Sequence, residues 1–369
     1  MSQSNKIYGH EIKNKRILHC PENLGNNAKR LAEIERSQGA KSWSISLRKE
    51  SFGFEADQTL VKSGSFIIGE LARWRLLWIA LRQYDIIHFN NGKTIMPHRL
   101  PFSSVRKRTN SIVACIYYLY ALIFEGKDLW LLRLFNKTIY FTFQGSDARF
   151  SNHYKILHSP NVLQHINTDY LSPIADGFKK NRINRAKKYA KKMFAMNPDL
   201  LKNLGDKCEF LPYFNVDVGA IAIHSIFQNK EIHIVHAPSK KDIKGTKHIV
   251  EAIRQLQKSY SIKFTLVEGL SNKEALTIYD TADILIDQLL VGWYGGVAVE
   301  LMARGVPVVC FLNQHGYERL DQDLINELPI VNTSVDTIFD DLQALIRRPK
   351  ESIRDLGTAS RQFVEKYHQ

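Results

Sequence analysis

Short runs of β-branched and aromatic residues alternate along this chain with longer amphipathic stretches, and that pattern admits few folds other than parallel strands joined by helices. The expected strands are Arg16–Cys20 (RILHC), residues 42–46, Ile86–Phe89 (IIHF) and Thr138–Phe143 (TIYFTF), then Ile232–His236 (IHIVH), residues 264–267, Ile284–Ile286 and residues 308–311. Helices are expected over 27–38 and 66–82 in the first array and over 245–259, 272–281 and 296–304 in the second. A chain of 369 residues is too long for one compact core. The expected domains are 1–218 and 219–369, divided where the Pro-Tyr-Phe-Asn segment of 211–218 leads out of the first array. Each is expected to be a doubly wound α/β sheet. The two, facing each other across a cleft, would gather strand carboxyl ends there, where open α/β sheets bind ligands.

Composition narrows the class. With 44% hydrophobic and 24% charged residues the chain is neither disordered nor fibrous. Cys20, Cys115, Cys208 and Cys310 lie far apart with no CxxC spacing, which speaks against a zinc site or a disulfide framework and for a reducing compartment. The first residues are polar and basic with no apolar core, so a cytoplasmic location is expected. The most apolar stretch, Ser111–Phe124 (SIVACIYYLYALIF), is shorter than the ~20 residues a spanning helix needs and is expected as a buried or surface-lying helix.

The net charge of +14 is unevenly placed. From Glu231 onward 16 Lys and Arg stand against 19 Asp and Glu, so the whole excess belongs to residues 1–230. Residues 179–192 (KKNRINRAKKYAKK) carry eight basic side chains and no acidic one, and Arg106, Lys107 and Arg108 precede the apolar stretch. A solvated helix face accounts for such runs equally well. The alternative is an anionic partner. An apolar helix beside basic residues favours a membrane surface, peripheral at its inner face, over nucleic acid, for which no zinc-finger, RNP-like or helix-turn-helix signature is present.

The most informative segment is 282–311. A strand ends near Asp287, a loop containing Gly292, Gly295 and Gly296 follows, and a helix begins that carries Glu300 about one turn in. The amides of Gly295, Gly296 and Val297 suit a diphosphate, and Glu300 is placed to accept hydrogen bonds from ribose hydroxyls. A tight strand-to-helix loop with an ordinary glutamate is the competing account. Lys240, Lys241 and Lys244, in HAPSKKDIKGT after Ile232–His236, would neutralise phosphate charge. No GxSxG, Walker A, HExxH or Asp-x-Asp pattern occurs.

In order, HAPSKKDIKGT, LVEGLSNKEALTIYDTADILIDQ and GGVAVELMARGVPVV resemble the donor-binding half of retaining group 1 glycosyltransferases, whose fold, GT-B, is two Rossmann-like domains facing across a cleft. RILHCPENLGN, YDIIHFNNG and FTFQGSDAR resemble the first half of the same family. The resemblance implies a retaining transfer of a sugar from a nucleotide-sugar to a glycan or lipid-linked acceptor in cell-surface polysaccharide synthesis, with neither cofactor nor metal. It implies that Lys244, Lys240 or Lys241 meets the diphosphate and Glu300 the ribose, with Glu268 on the donor side. Gly292 stands where the family has a second glutamate, so Asp287 or Gln288 is expected to reach the sugar hydroxyls. Gln144 stands where the family has a histidine. His88 is the candidate catalytic histidine, ahead of His19 and His98, and Gly25, Asn26, Gln144, Asp147 and Arg149 are expected on the acceptor side. Two alternatives remain: a non-hydrolysing sugar-nucleotide epimerase on the same architecture, and a non-catalytic relative that binds membranes or polyanions.

Overall fold

The computed structural model describes residues 7–8, 12–50, 53–62, 66–100, 111–164, 166 and 171–369. The basic triplet Arg106–Lys107–Arg108 and most of the N-terminal segment lie outside the described residues. The chain forms two compact units. The first comprises Met1–Ser151, Asp169–Met196 and Leu200–Leu211; the second comprises Asn152–Thr168, Asn197–Asp199 and Pro212–Gln369.

Unit 1 is built on a seven-stranded sheet: β1 (Arg16–Cys20), β2 (Lys41–Arg48), β3 (Gln58–Val61), β4 (Ile86–Phe89), β5 (Thr138–Phe143), β6 (Lys192–Ala195) and β7 (Cys208–Phe210). The order across the sheet is β3-β2-β1-β4-β5-β6-β7, and every neighbouring pair is parallel. Strands buried on both faces read as near-continuous apolar runs, which is why IIHF and TIYFTF are so legible: β4 is buried throughout and β5 in all but its first residue. The helices needed below are α1 (Asn27–Ser37), α2 (Phe66–Gln83), α3 (Ser111–Phe124), α4 (Lys127–Leu134) and α5 (Pro173–Tyr189). Helix α5 contains most of the basic run and starts cleanly: Pro173 opens its first turn, and the Ser172 hydroxyl accepts the Ala175 amide. The run is not simply a solvated face. Lys179 is buried, donating to the Arg149 carbonyl at 2.7 Å and pairing with Asp176, while Lys187 donates to the Asn203 carbonyl.

Unit 2 carries a five-stranded parallel sheet, β8 (Ile232–His236), β9 (Ile262–Leu266), β10 (Ile284–Ile286), β11 (Val308–Cys310) and β12 (Ile330–Asn332), ordered β12-β11-β10-β8-β9. Its principal helices are α6 (Thr246–Leu256), α7 (Asn272–Tyr279), α8 (Gly296–Met302), α9 (Ile338–Ile346) and α10 (Lys350–Tyr367). Helix α7 is held at its start by a capping box between Ser271 and Glu274. Two doubly wound α/β sheets in succession match the expected fold class.

In each sheet the strand order reverses once, between β1 and β4 in unit 1 and between β8 and β10 in unit 2. Loops leaving the two strands at such a point diverge and leave a crevice at their carboxyl ends. Both units place their polar clusters there.

Candidate functional site

In unit 2 the reversal point is held by His236 at the end of β8. Its Nδ1 faces the Ile286 carbonyl on β10 at 2.8 Å and must donate to it, so Nε2 accepts from the Thr246 hydroxyl, also at 2.8 Å. Burial lowers the ring to about 4, so it remains neutral and pins the two strands to α6.

Above it lies an ion pair. Lys244 Nζ sits 2.5 Å from Asp287 Oδ1, both side chains being almost removed from water, and Asp287 Oδ2 accepts the Gly295 amide at 2.6 Å. The left-handed Gly245 (φ 75°) makes the turn that follows Lys244, and Lys244's own carbonyl accepts the Leu289 amide. A β-carbon at Gly295 would lie 3.3 Å from Lys244 Nζ and one at Gly296 would lie 3.1 Å from Asn215 Nδ2. An added β-carbon at either glycine would press on the end of a neighbouring side chain, so the Gly-Gly pair lets Lys244 and Asn215 lie close to the backbone, independently of any unusual dihedral.

Glu300, in α8, is buried. Its Oε1 accepts from Asn215 Nδ2 at 3.2 Å, the same amide also donating to the Gly296 carbonyl, and its Oε2 is buried with no hydrogen-bond partner. Burial pushes the carboxyl up to about 7, against the pull of Arg304 and the Asn215 hydrogen bond. A buried carboxylate oxygen without a donor is costly, and a ligand hydroxyl would satisfy it.

The structure thus brings Lys244, Asp287, Gly295, Gly296 and Glu300 together at one strand-end crevice. Val297 follows in the first turn of α8, half exposed with Gly295 and Gly296. The Gly295 amide is already engaged by Asp287, so of the three expected anion-binding amides those of Gly296 and Val297 remain. Gln288 is buried and donates to the Trp293 carbonyl within its own loop. Lys240 is exposed at the N-cap of the turn Lys241–Lys244, and Lys241 pairs with Glu268 at 2.6 Å on the surface. Gly292 has φ 93°, and a β-carbon there would fall 2.7 Å from that of Asn313. The backbone at this position has no room for the glutamate of the resembling family. Asn215 was missed by sequence reasoning, which saw in Pro-Tyr-Phe-Asn only a link between domains.

In unit 1 the reversal point opens on a cavity of about 410 Å³. It is lined by residues of the loops after β1, β2 and β4 and by α2, with Glu22, Arg48, Lys49, Glu50, Glu70, Arg73 and Lys93 supplying its charge. Glu22 accepts from Lys93 at 2.8 Å and from Asn91 at 2.8 Å; burial pushes its carboxyl up, but Lys93, Asn91 and Arg73 together hold it below the usual glutamate range. These residues were not anticipated, although PENLG and NNGK directly follow the two strands that flank the reversal.

The expected acceptor-side residues surround this region unevenly. Gly25 and Asn26 adopt left-handed conformations (φ 56° and 63°) in the short turn before α1. Gln144 donates to the Asn90 carbonyl at 2.6 Å. Asp147 is consumed by its own turn, accepting the amides of Gln144 and Gly145, and burial raises its carboxyl. Arg149 is buried. From this QGSDAR loop Ser146 reaches the cavity.

His88 is wholly buried. Nε2 meets the Thr142 hydroxyl at 2.8 Å and Nδ1 the Tyr8 hydroxyl at 3.3 Å, and burial lowers its pKa well below that of a free histidine. His19 is equally buried, its Nε2 2.9 Å from Glu35, a carboxylate that Tyr8 and Ser42 also donate to. Both histidines belong to a polar network within the core of unit 1. His98 lines the cavity. Among the described residues no group of three or more His, Cys, Asp or Glu is placed to hold a metal ion.

Two successive parallel doubly wound units, each with its polar cluster at the strand reversal, define the GT-B fold. Solved structures with this fold include sucrose-phosphate synthase from Thermosynechococcus elongatus, similar over 97% of this chain and 95% of its own at 13% identity and a TM-score of 0.55. The catalytic domain of starch synthase IV from Arabidopsis thaliana, bound to ADP and acarbose, is similar over 95% of each chain at 10% identity and a TM-score of 0.53. A glycosyltransferase from Rickettsia africae covers 97% of this chain and 94% of its own at 13% identity and a TM-score of 0.51. No protein-family model matches the sequence, and no curated protein matches it.

Proposed function

We propose that this chain is a retaining glycosyltransferase that binds a nucleotide-sugar in unit 2 and transfers the sugar to a glycan or lipid-linked acceptor, a growing cell-surface polysaccharide or its carrier. The observation that carries the reading is Glu300, a buried carboxylate with one unbonded oxygen, set one turn beyond the glycine pair against which Lys244 and Asn215 pack. A ribose diol supplies the missing donor, and a diphosphate reaching the Gly296 and Val297 amides lies beside Lys244. The GT-B fold, and the ADP bound by the starch synthase of the same fold, support this choice of ligand.

In the reaction the bond between the anomeric carbon and the diphosphate oxygen breaks, the acceptor hydroxyl oxygen bonds to that carbon, and its proton passes to the departing phosphate. Negative charge grows on the leaving diphosphate, and the Lys244 ammonium stabilises it. Asp287 holds that ammonium in place beforehand. The resemblance of residues 235–311 to retaining group 1 glycosyltransferases supports a retaining course with no metal requirement. The acceptor is assigned to unit 1, whose reversal-point cavity presents charges of both signs.

Thermal unfolding with UDP, GDP and ADP tests the donor site: one of them should raise the midpoint. Glu300→Ala should weaken that binding, and Lys244→Ala should lower kcat by roughly a hundredfold, the usual cost of losing one oxyanion-stabilising donor. Wild-type behaviour in both variants would refute the assignment.

A further inference from the structure

Helices α2, α3 and α4 of unit 1 touch one another. Trp74 of α2 meets Phe124 of α3 edge to face at 5.2 Å, α2 packs on α4, and α3 leads into α4 through Glu125 and Gly126. An ordinary surface helix turns polar residues to water. These turn apolar ones. Ile67, Leu71 and Trp78 form an exposed stripe on α2, with Ile67 68% and Trp78 57% accessible. On α3 the exposed stripe is Ile112, Ile116, Leu119 and Ile123, on a helix with no charged residue at all. Trp130 and Leu134 continue it on α4. Monomeric proteins seldom expose a contiguous apolar surface of this extent without a partner for it.

The charges around this surface identify the partner. Arg75, Arg82, Lys127 and Arg133 are the exposed charged residues of the three helices, and all are positive. Glu70 is drawn into a pair with Arg73, and Asp128 is buried, accepting the Met96 amide. We propose that the α2–α3–α4 face seats the protein on an anionic bilayer, with the helices lying in the headgroup region. Trp74, Trp78 and Trp130, three of the chain's five tryptophans, are exposed on it, the residue type that prefers this depth. No helix among the described residues is long and apolar enough to cross a membrane, which agrees with seating in the plane. A symmetric pairing with a second copy would instead bring the same all-positive rim onto itself. Helix α2 also supplies Glu70 and Arg73 to the unit-1 cavity, so one helix borders both the lipid-facing surface and the proposed acceptor site.

The test is flotation of the full chain with vesicles of phosphatidylcholine alone or mixed with phosphatidylglycerol, at low and raised salt. Cys115, the one exposed cysteine, lies on α3 and takes an environment-sensitive dye as a second readout. Co-flotation and a blue-shifted dye are expected with the anionic vesicles, weakened by salt and by removing phosphatidylglycerol. Ile116→Glu with Leu119→Glu should lower partitioning on the order of a hundredfold, since two buried aliphatic side chains are lost. Arg75→Glu with Lys127→Glu should lower it about tenfold or more. These side chains are exposed, so circular dichroism and the nucleotide-induced thermal shift should be unchanged, which lets this inference and the donor-site reading fail separately. The inference is overturned if the chain does not float with anionic vesicles, if neutral vesicles bind it equally, or if the Ile116→Glu/Leu119→Glu variant floats like its parent. It is also overturned if sedimentation equilibrium shows a dimer that this variant dissolves while vesicles leave the parent in solution.

Discussion

Glu300 is held in the core of unit 2 with its carboxyl pushed up to about 7, against 4.5 for an ordinary glutamate. The folded chain therefore binds this proton more tightly than the unfolded chain does. The stability it confers is complete below pH 4.5 and is lost as pH rises through 7, a change of about 3 kcal/mol across that window. Urea unfolding below and above the window should show this loss in the parent and not in Glu300→Gln. At the same scale, sequence position was enough to draw attention to Glu300, one turn after the glycine pair, and to Lys240, Lys241 and Lys244 in the loop after β8. It was not enough to find Asn215, whose contact with Glu300 joins residues 85 apart in sequence. The surroundings of His88 were hidden for a related reason. IIHF places it near a strand end, but Tyr8 and Thr142, both distant in sequence, cover it and occupy its nitrogens.

Among the elements, α10 owes its position to a glycine. A methyl group at Gly357 would run into the Gly305 carbonyl oxygen, and Arg361, one turn on, donates to the carbonyls of Ala303 and Ile221. Replacing a helical glycine by alanine ordinarily gains up to ~1 kcal/mol. Gly357→Ala should instead destabilise by about 1–3 kcal/mol, because α10 must move off the backbone beneath it; equilibrium unfolding measures the sign. The strands that sequence missed share a cause. β3, β7 and β12 are sheet edges of three or four residues, too short for a periodic signal and partly exposed. β6 is hidden differently: Lys192 belongs at once to the basic run and to the first position of a strand. The interior strands β1, β4, β5, β8 and β10 were legible to the residue because burial on both faces makes them mostly apolar, with polar side chains such as His19, His88 and His236 buried as well.

At the scale of the molecule each unit has its own sheet and core, and the proposed donor contacts all fall within unit 2. A nucleoside diphosphate at saturation should therefore slow amide exchange in the segments around Lys244 and Gly295–Glu300, with the stabilisation reaching about 2.7 kcal/mol when the ligand is at a hundred times its Kd. Mass-spectrometric hydrogen exchange reads this directly, and protection confined to unit 1 would contradict it. The strand order of the larger sheet has a consequence during synthesis. β1 occupies its interior, yet its neighbours are β2 and, across the reversal, β4. A ribosome that has emitted β1 has made a strand whose second hydrogen-bonding edge stays open until Ile86–Phe89 emerges, so nascent chains stalled before that point should be the ones chaperones retain.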